Sequence, residues 1–191
     1  MADVVGIVNS SLLKIGARAT ITALTEGTPN ANAAAALYPR VRDDLLRAHA
    51  WNFAIARSRL AALATPPEYG FARAFALPED WLLTIAVHDN DAGRGAVAYR
   101  IEGGAIVTDA AAIWLAYVRR VTDANEMTAD FRETLACALA VELAVPVANS
   151  GTLRERLEDT LRRRLRQARG IDAVEDFPPA FPAGSWANVR G

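Results

Sequence analysis

The hydrophobic period of this chain changes twice, and that change limits its architecture more than any other feature. Up to residue 50, apolar side chains recur every third or fourth position: Val4, Val5, Val8, Leu12 and Ile15 in one segment, then Leu37, Val41, Leu45 and Ala48 in another. This is the spacing of helices that each carry one apolar stripe. From Trp51 the period is two. Trp81, Leu83, Ile85 and Val87 fall on one strand face, with Leu82, Thr84, Ala86 and His88 on the other. Val97, Tyr99 and Ile101 alternate likewise, Gly103-Gly104 supplies a hairpin turn, and residues 113–121 predict a further strand. Past Thr122-Asp123 the helical period returns, first with Phe131, Leu135, Leu139 and Leu143, then with Leu153, Leu157, Leu161 and Leu165.

Start and stop signals place the boundaries. Asp3 reads as the N-cap of the first helix, with Gly16 past its end, and Thr28-Pro29 reads as a cap followed by proline at the first helical position. Pro39 inside the second pattern predicts a kink or a break. Asp130 and Glu133 suit the start of the third helix, Pro146 its end, and residues 152–155 fit a capping box for the fourth. Residues 53–63 and 71–77 also read as strands, separated by Pro66-Pro67, which gives four to six strands in an antiparallel meander. The expected fold class is α+β. An antiparallel four-helix bundle, residues 1–50 and 124–175, is interrupted by an antiparallel β-sheet block, residues 51–123, and an extended C-terminal arm follows at 176–191.

Charge and cysteine usage remove several classes of function. Twenty-one basic and 22 acidic residues in 191 give a formal charge of −1, so no global positive field steers nucleic acid. The single cysteine, Cys137, excludes an intramolecular disulfide and a multi-thiolate metal site, and two histidines do not supply a zinc site. No apolar run approaches the roughly 20 residues that span a bilayer, and Asp3 stands where a signal peptide would be basic. Neither membrane nor export is expected, and synthesis is expected in the cytosol. Forty alanines and a lone lysine, Lys14, fit a GC-rich coding bias, yet alanine concentrates at 33–36 and 136–144, on two of the expected helices.

No set of side chains reads as catalytic. His49 at a helix C-terminus is explained by the helix dipole, His88 beside Asp89 and Asp91 reads as a surface residue, and Cys137 lies within an apolar helix as a small hydrophobe. The adjacent carboxylates Asp43-Asp44 and Glu79-Asp80 point about 100° apart on a helix and read as solvated. Gly93-Arg94-Gly95 lacks the strand-to-helix context of a phosphate loop. The expectation is a non-enzyme with no cofactor and no bound metal. Two segments read instead as contact surfaces. Between residues 154 and 169 the last helix has seven arginines against three acids; Arg154, Arg162, Arg163, Arg166 and Arg169 are assigned to a subunit interface or a DNA-facing surface. On the proline-rich arm, Phe177, Phe181 and Trp186 have little local core to enter and are assigned to docking.

Residues 37–54, which run through Leu37, Tyr38, Pro39, Arg40, Asp43, Leu45, His49, Trp51, Asn52 and Phe53, resemble the helix-to-strand signature of the tail tubular protein A family, head-to-tail adaptors of short-tailed phages. Further matching pieces follow in order: residues 69–78 with Asp80-Trp81-Leu82, Tyr99-Arg100-Ile101-Glu102-Gly103 with Thr108-Asp109, Tyr117-Val118 with Val121-Thr122-Asp123, the helix from Phe131 to Ser150, and Gly184-Ser185-Trp186. The resemblance implies a structural virion protein at the head-to-tail connector. Copies would form a homo-oligomeric ring of about twelve, with the alanine-rich helices packed against neighbouring subunits, docked on the portal through the arm and on the tail nozzle through loops of the β block, with viral DNA passing through the lumen. A nucleic-acid-binding packaging or regulatory protein that uses the arginine-rich helix is the alternative, and a tail-borne cell-wall hydrolase is a third, weaker one.

Overall fold

The computed structural model describes residues 3–175, and the arm at 176–191 with its assigned Phe177, Phe181 and Trp186 lies outside the described residues. Four helices and six strands alternate in the expected order: α1 (Val4–Lys14), α2 (Pro29–Arg47), β1 (Ile55–Leu60), β2 (Arg73–Ala76), β3 (Trp81–His88), β4 (Tyr99–Glu102), β5 (Ala105–Thr108), β6 (Ile113–Arg119), α3 (Ala129–Leu143) and α4 (Gly151–Val174). The α+β class stands. Local chemistry explains the helix starts: Asp3, Thr28, Thr128 and Ser150 each accept a hydrogen bond from a backbone N–H of the first turn. The fourth helix thus starts at Ser150, not at the box expected from 152. Pro39 neither breaks α2 nor ends it; the helix runs unbroken from Pro29 to Arg47.

The four-helix bundle is not what forms. α1, α2 and α4 each pack on α3, while α1 and α2 meet only marginally, so three helices surround a fourth instead of sharing one axis. The reason lies in α3, where Phe131, Leu135, Leu139 and Leu143 are fully buried, Ala136, Cys137 and Ala140 between them nearly so, and Ala138 is 9% exposed. A helix buried on most sides, with Arg132, Glu133 and Glu142 only half-buried, becomes a central helix, whereas a bundle member needs one stripe. Small side chains let its neighbours come close on several sides. The alanines of α3 therefore serve packing within the chain, not the subunit contact expected of them. On α2, Ala34 is buried, while Ala35 and Ala36 face solvent.

The β block is likewise not a meander. It makes two three-stranded antiparallel sheets, one ordered β1-β6-β3 and the other β2-β5-β4. In the first, Arg57 pairs with Ala116 and Arg59 with Trp114, while Ser58 pairs with Leu115 and Leu60 with Ile113. Alternation gives this sheet two dissimilar faces. Ile113, Leu115, Tyr117 and Val87 pack against Phe75 and Ile106 of the second sheet and form a small core of their own. On the opposite face, Val118 joins the helical core, together with Leu82 and the half-buried Leu83. The helices therefore lie over only the β6 C-terminal end of that face. An aromatic cluster seals the join: Phe131 stands edge-on to Trp51 and Phe53, with centroids 5.2 and 4.9 Å away.

Between α1 and α2 the loop is fixed by polar contacts. Asn9 exchanges two hydrogen bonds with the backbone of Ile21 (2.8 and 2.9 Å), and Glu26 accepts from the Thr22 N–H and from the Thr22 and Thr28 hydroxyls, each at 2.7 Å. Those bonds, led by the Thr22 N–H, lower the Glu26 carboxyl to a pKa of about 2. A depressed carboxylate stabilises above its unfolded pKa and loses that contribution as pH falls through the folded value. The 22–28 turn is accordingly expected to keep its structure at pH 5 and to loosen as pH approaches about 2, read by the Thr22 amide shift in NMR. For the core, Phe131→Ala is expected to cost about 3–5 kcal/mol, measured by urea unfolding.

Candidate functional site

The C-terminal half of α4 is held by one buried carboxylate. Asp172, 6% exposed, accepts from the backbone N–H of Asn52 (3.0 Å) through Oδ1 and sits 3.0 Å from the His49 ring through Oδ2. The Asn52 side chain donates back to the Asp172 carbonyl at 2.7 Å, and Arg169 donates to the carbonyl of Ala48. His49 therefore has a specific partner beyond the helix dipole. Trp51, 1% exposed, completes the junction: its indole N–H donates to the Leu45 carbonyl at 3.0 Å, and its ring meets His49 edge-on at 4.8 Å. Arg47 reaches across from α2 to the Leu82 carbonyl of β3. The string from His49 to Phe53 thus joins α2, the first sheet and the end of α4 at one point.

With its end fixed there, α4 shows the arginines in two roles. Leu157, Leu161, Leu165 and Ala168 face the core, and the opposite stripe, Arg156, Asp159, Arg162, Arg163 and Arg166, faces solvent. Arg154 pairs with Glu158 (3.1 Å), Arg162 with Asp159 (3.1 Å), and Arg163 donates to the Thr160 hydroxyl (3.1 Å). Of the five assigned arginines, Arg154, Arg162, Arg163 and Arg166 are exposed, whereas Arg169 is half-buried and works within the chain on Ala48. Arg156, which the assignment left out, lies on the same stripe as Arg166, and neither has a partner among the described residues.

The other candidates fall where burial and charge put them. Cys137 is buried, its Sγ lies 3.9 Å from the Leu157 carbonyl, and desolvation raises its pKa, which makes it unreactive at neutral pH. His88 is partly exposed, with Nδ1 2.9 Å from the Gly95 carbonyl. Asp43 is a correction: it is not a solvated carboxylate but a bridge, held by Arg42 at 2.8 Å and by Arg120 at 2.9 Å, and it ties α2 to the exit of β6. Asp80 is occupied too, since it accepts from the Tyr117 hydroxyl at 3.0 Å. Burial first, and then the hydrogen bond to Asp80 and its charge, raise the Tyr117 pKa. Among the described residues no group of histidine, cysteine and carboxylate side chains is arranged to hold a metal, and no helix is long and apolar enough to cross a membrane.

A third surface was not read from the sequence. On the part of the first sheet that the helices leave open, Arg57, Arg59, Ile85, His88 and Trp114 line a groove of about 500 Å³. The Arg59 guanidinium lies over the Trp114 ring, 5.2 Å from its centroid. The signal was the alternation of Arg57 and Arg59 with Ser58 along β1, but the partner tryptophan sits 55 positions away and only the β1–β6 register brings it opposite. The sequence matches no protein-family model and no curated protein.

Asp172→Ala is expected to lower stability by about 1–3 kcal/mol in urea unfolding, because the Asn52 N–H and the His49 ring lose their acceptor. Asp172→Asn, which keeps a carbonyl acceptor, is expected to recover part of that loss.

Proposed function

We propose that the chain is a structural virion protein: a head-to-tail adaptor whose copies close into a ring between a portal and a tail nozzle, with viral DNA passing through the lumen. The observation that carries this reading is the ordered set of adaptor-like sequence pieces from residue 37 to residue 150, with a last one at 184–186. Within its specific stretch, residues 37–54, the string from His49 to Phe53 has a physical task that suits such a protein: it fixes the last helix to the β block through Asp172. A ring subunit must present two complementary side surfaces in a fixed relation, because an angular error repeats at every interface. In this reading the helices arranged about α3 build the ring wall, loops of the β block meet the nozzle, and the arm with Phe177, Phe181 and Trp186 engages the portal. The ring acts by shape and contact and requires no cofactor.

Electron microscopy and sedimentation of the protein, alone and with a portal, test this. Closed rings are expected in the presence of the portal, and removal of residues 176–191 is expected to abolish portal binding. A chain that stays monomeric and ignores the portal refutes the adaptor.

One observation favours a second reading. The solvent stripe of α4 exposes Arg156 and Arg166 without partners among the described residues, which suits phosphate contacts by a DNA-binding packaging or regulatory protein. Under that reading DNA affinity falls steeply with salt, and neutralising Arg156 or Arg166 reduces the log–log salt slope by about one each.

A further inference from the structure

The β block carries a groove and a protruding loop that the chain itself does not bring together. The groove, on the first sheet, is apolar at Trp114 and at Ile85, which is 41% exposed. Arg57 and Arg59 stand on the same side of β1, about 7 Å from each other along the strand, and neither pairs with a carboxylate among the described residues. One acid, Asp91, lines the same groove. The loop is the connection 61–72 between β1 and β2, and its base is fixed. The Leu63 N–H donates to the Ala74 carbonyl at 2.8 Å, and the Ala72 N–H donates to the Asp109 carboxylate at 2.9 Å. Between these anchors the loop is exposed almost throughout, Pro66-Pro67 restrict its backbone, and its tip carries Glu68 and Tyr69. Tyr69 is 89% exposed, and Glu68 pairs with no cation among the described residues.

Chemistry relates the tip to the groove. Arg59 already lies over the Trp114 ring, which closes that face of the indole to a stacking nucleobase. The N–H edge of a stacked guanidinium stays open, and that is the edge a carboxylate takes. Glu68 supplies a carboxylate and Tyr69 a ring for the apolar floor; tyrosine, tryptophan and arginine are residues in which protein interfaces are enriched. Position sets how copies would meet. The second sheet, which anchors the base of the loop at Ala74, packs on the face of the first sheet that carries Ile113, Leu115 and Tyr117. The groove opens on the other face, with Arg57, Arg59 and Trp114. Loop base and groove thus stand on opposite sides of the first sheet, so copies joined through them meet head to tail, each offering a different surface to its neighbour.

We propose that the groove receives residues 66–69 of a second copy of this chain, with Glu68 against Arg57 and Arg59 and Tyr69 on the floor at Ile85 and Trp114. The anchored base and the two prolines hold the tip in place before contact, which lowers the entropy lost on docking. Two copies suffice, so the contact stands apart from any virion role. Repeated around a closed set of copies, it adds one side contact to a ring.

Sedimentation equilibrium of the full-length chain at rising concentration, without a portal, tests the proposal by charge reversal. Arg57→Glu with Arg59→Glu, and separately Glu68→Arg, are each expected to weaken self-association about tenfold, the scale of an exposed ion pair turned into a repulsion, with an unchanged thermal midpoint. An equimolar mixture of the two variants is expected to recover the parent's association, because each groove then meets a tip of opposite sign. Chains carrying Arg59→Cys and Tyr69→Cys, mixed under mild oxidation, are expected to give more disulfide dimer than either gives alone; Cys137 is buried and does not compete. Equal association of the parent and both variants overturns the proposal, and rings that form with a portal all the same leave the adaptor reading standing on other surfaces. A parent that stays monomeric up to about 1 mM overturns it too, as does a mixture that fails to recover. Binding of a single-stranded oligonucleotide that is lost in the Arg57/Arg59 variant, with self-association unchanged, assigns the groove to nucleic acid instead.

Discussion

Everything in this molecule is arranged around the burial of α3. Ten of its 15 residues are buried, including Thr134, whose hydroxyl is satisfied by the Asp130 carbonyl at 2.7 Å. Such a helix keeps a narrow polar edge at Arg132, Glu133 and Glu142, so it exists only as long as α1, α2 and α4 cover it together with the start of the β block. Phe131 at its first turn transmits this dependence to the sheet through Trp51 and Phe53. The helical and β regions are for that reason joined by a shared core and not by a linker.

The polar contacts then decide which parts of the shell are fixed. Asp43 bridges Arg42 and Arg120, Arg47 reaches Leu82, and Asp172 gathers His49 and Asn52, so three separate junctions bind helices to the first sheet. Each removes a buried or half-buried charge from isolation by giving it a partner on another element. Among the described residues, nothing comparable ties down β4, whose four residues are all exposed, or the solvent stripe of α4. The molecule thus divides into a braced interior and free outer surfaces, and contact with other molecules falls to the latter.

The order of elements and most helix starts were legible in the sequence because they rest on local rules: a side-chain cap on the first-turn N–H groups, an apolar repeat of three to four, an alternation of two. What was not legible depends on long-range partners. The leucine spacing of α3 reads as one stripe, and only the three helices around it show that its alanines are equally buried. Two sheets replace the meander because β6 returns to lie between β1 and β3, a pairing no local pattern encodes. Pro39 left α2 intact because the ring sits on the exposed side of the helix, where an unpaired carbonyl turns to water. Asp172 was hidden for a related reason: an isolated aspartate near the end of a charged helix looks solvated until Asn52, 120 positions away, is placed against it.

The near-neutral charge of −1 takes on a different meaning once the charges have positions. Many ionic groups cancel locally: Arg154 with Glu158, Arg162 with Asp159, and Lys14 and Arg164 both on Glu133. Several arginines pair with no carboxylate among the described residues, among them Arg156 and Arg166 on one helix and Arg57 and Arg59 on one sheet. Exposed single pairs contribute little to stability, and unpaired exposed arginines contribute still less, so folding does not account for them. Their planar guanidinium groups suit carboxylates and aromatic faces, and Arg59 already lies over the Trp114 indole. Neutrality in the sum therefore coexists with two local positive surfaces, one along the solvent stripe of α4 and the other at Arg57 and Arg59 on the first sheet.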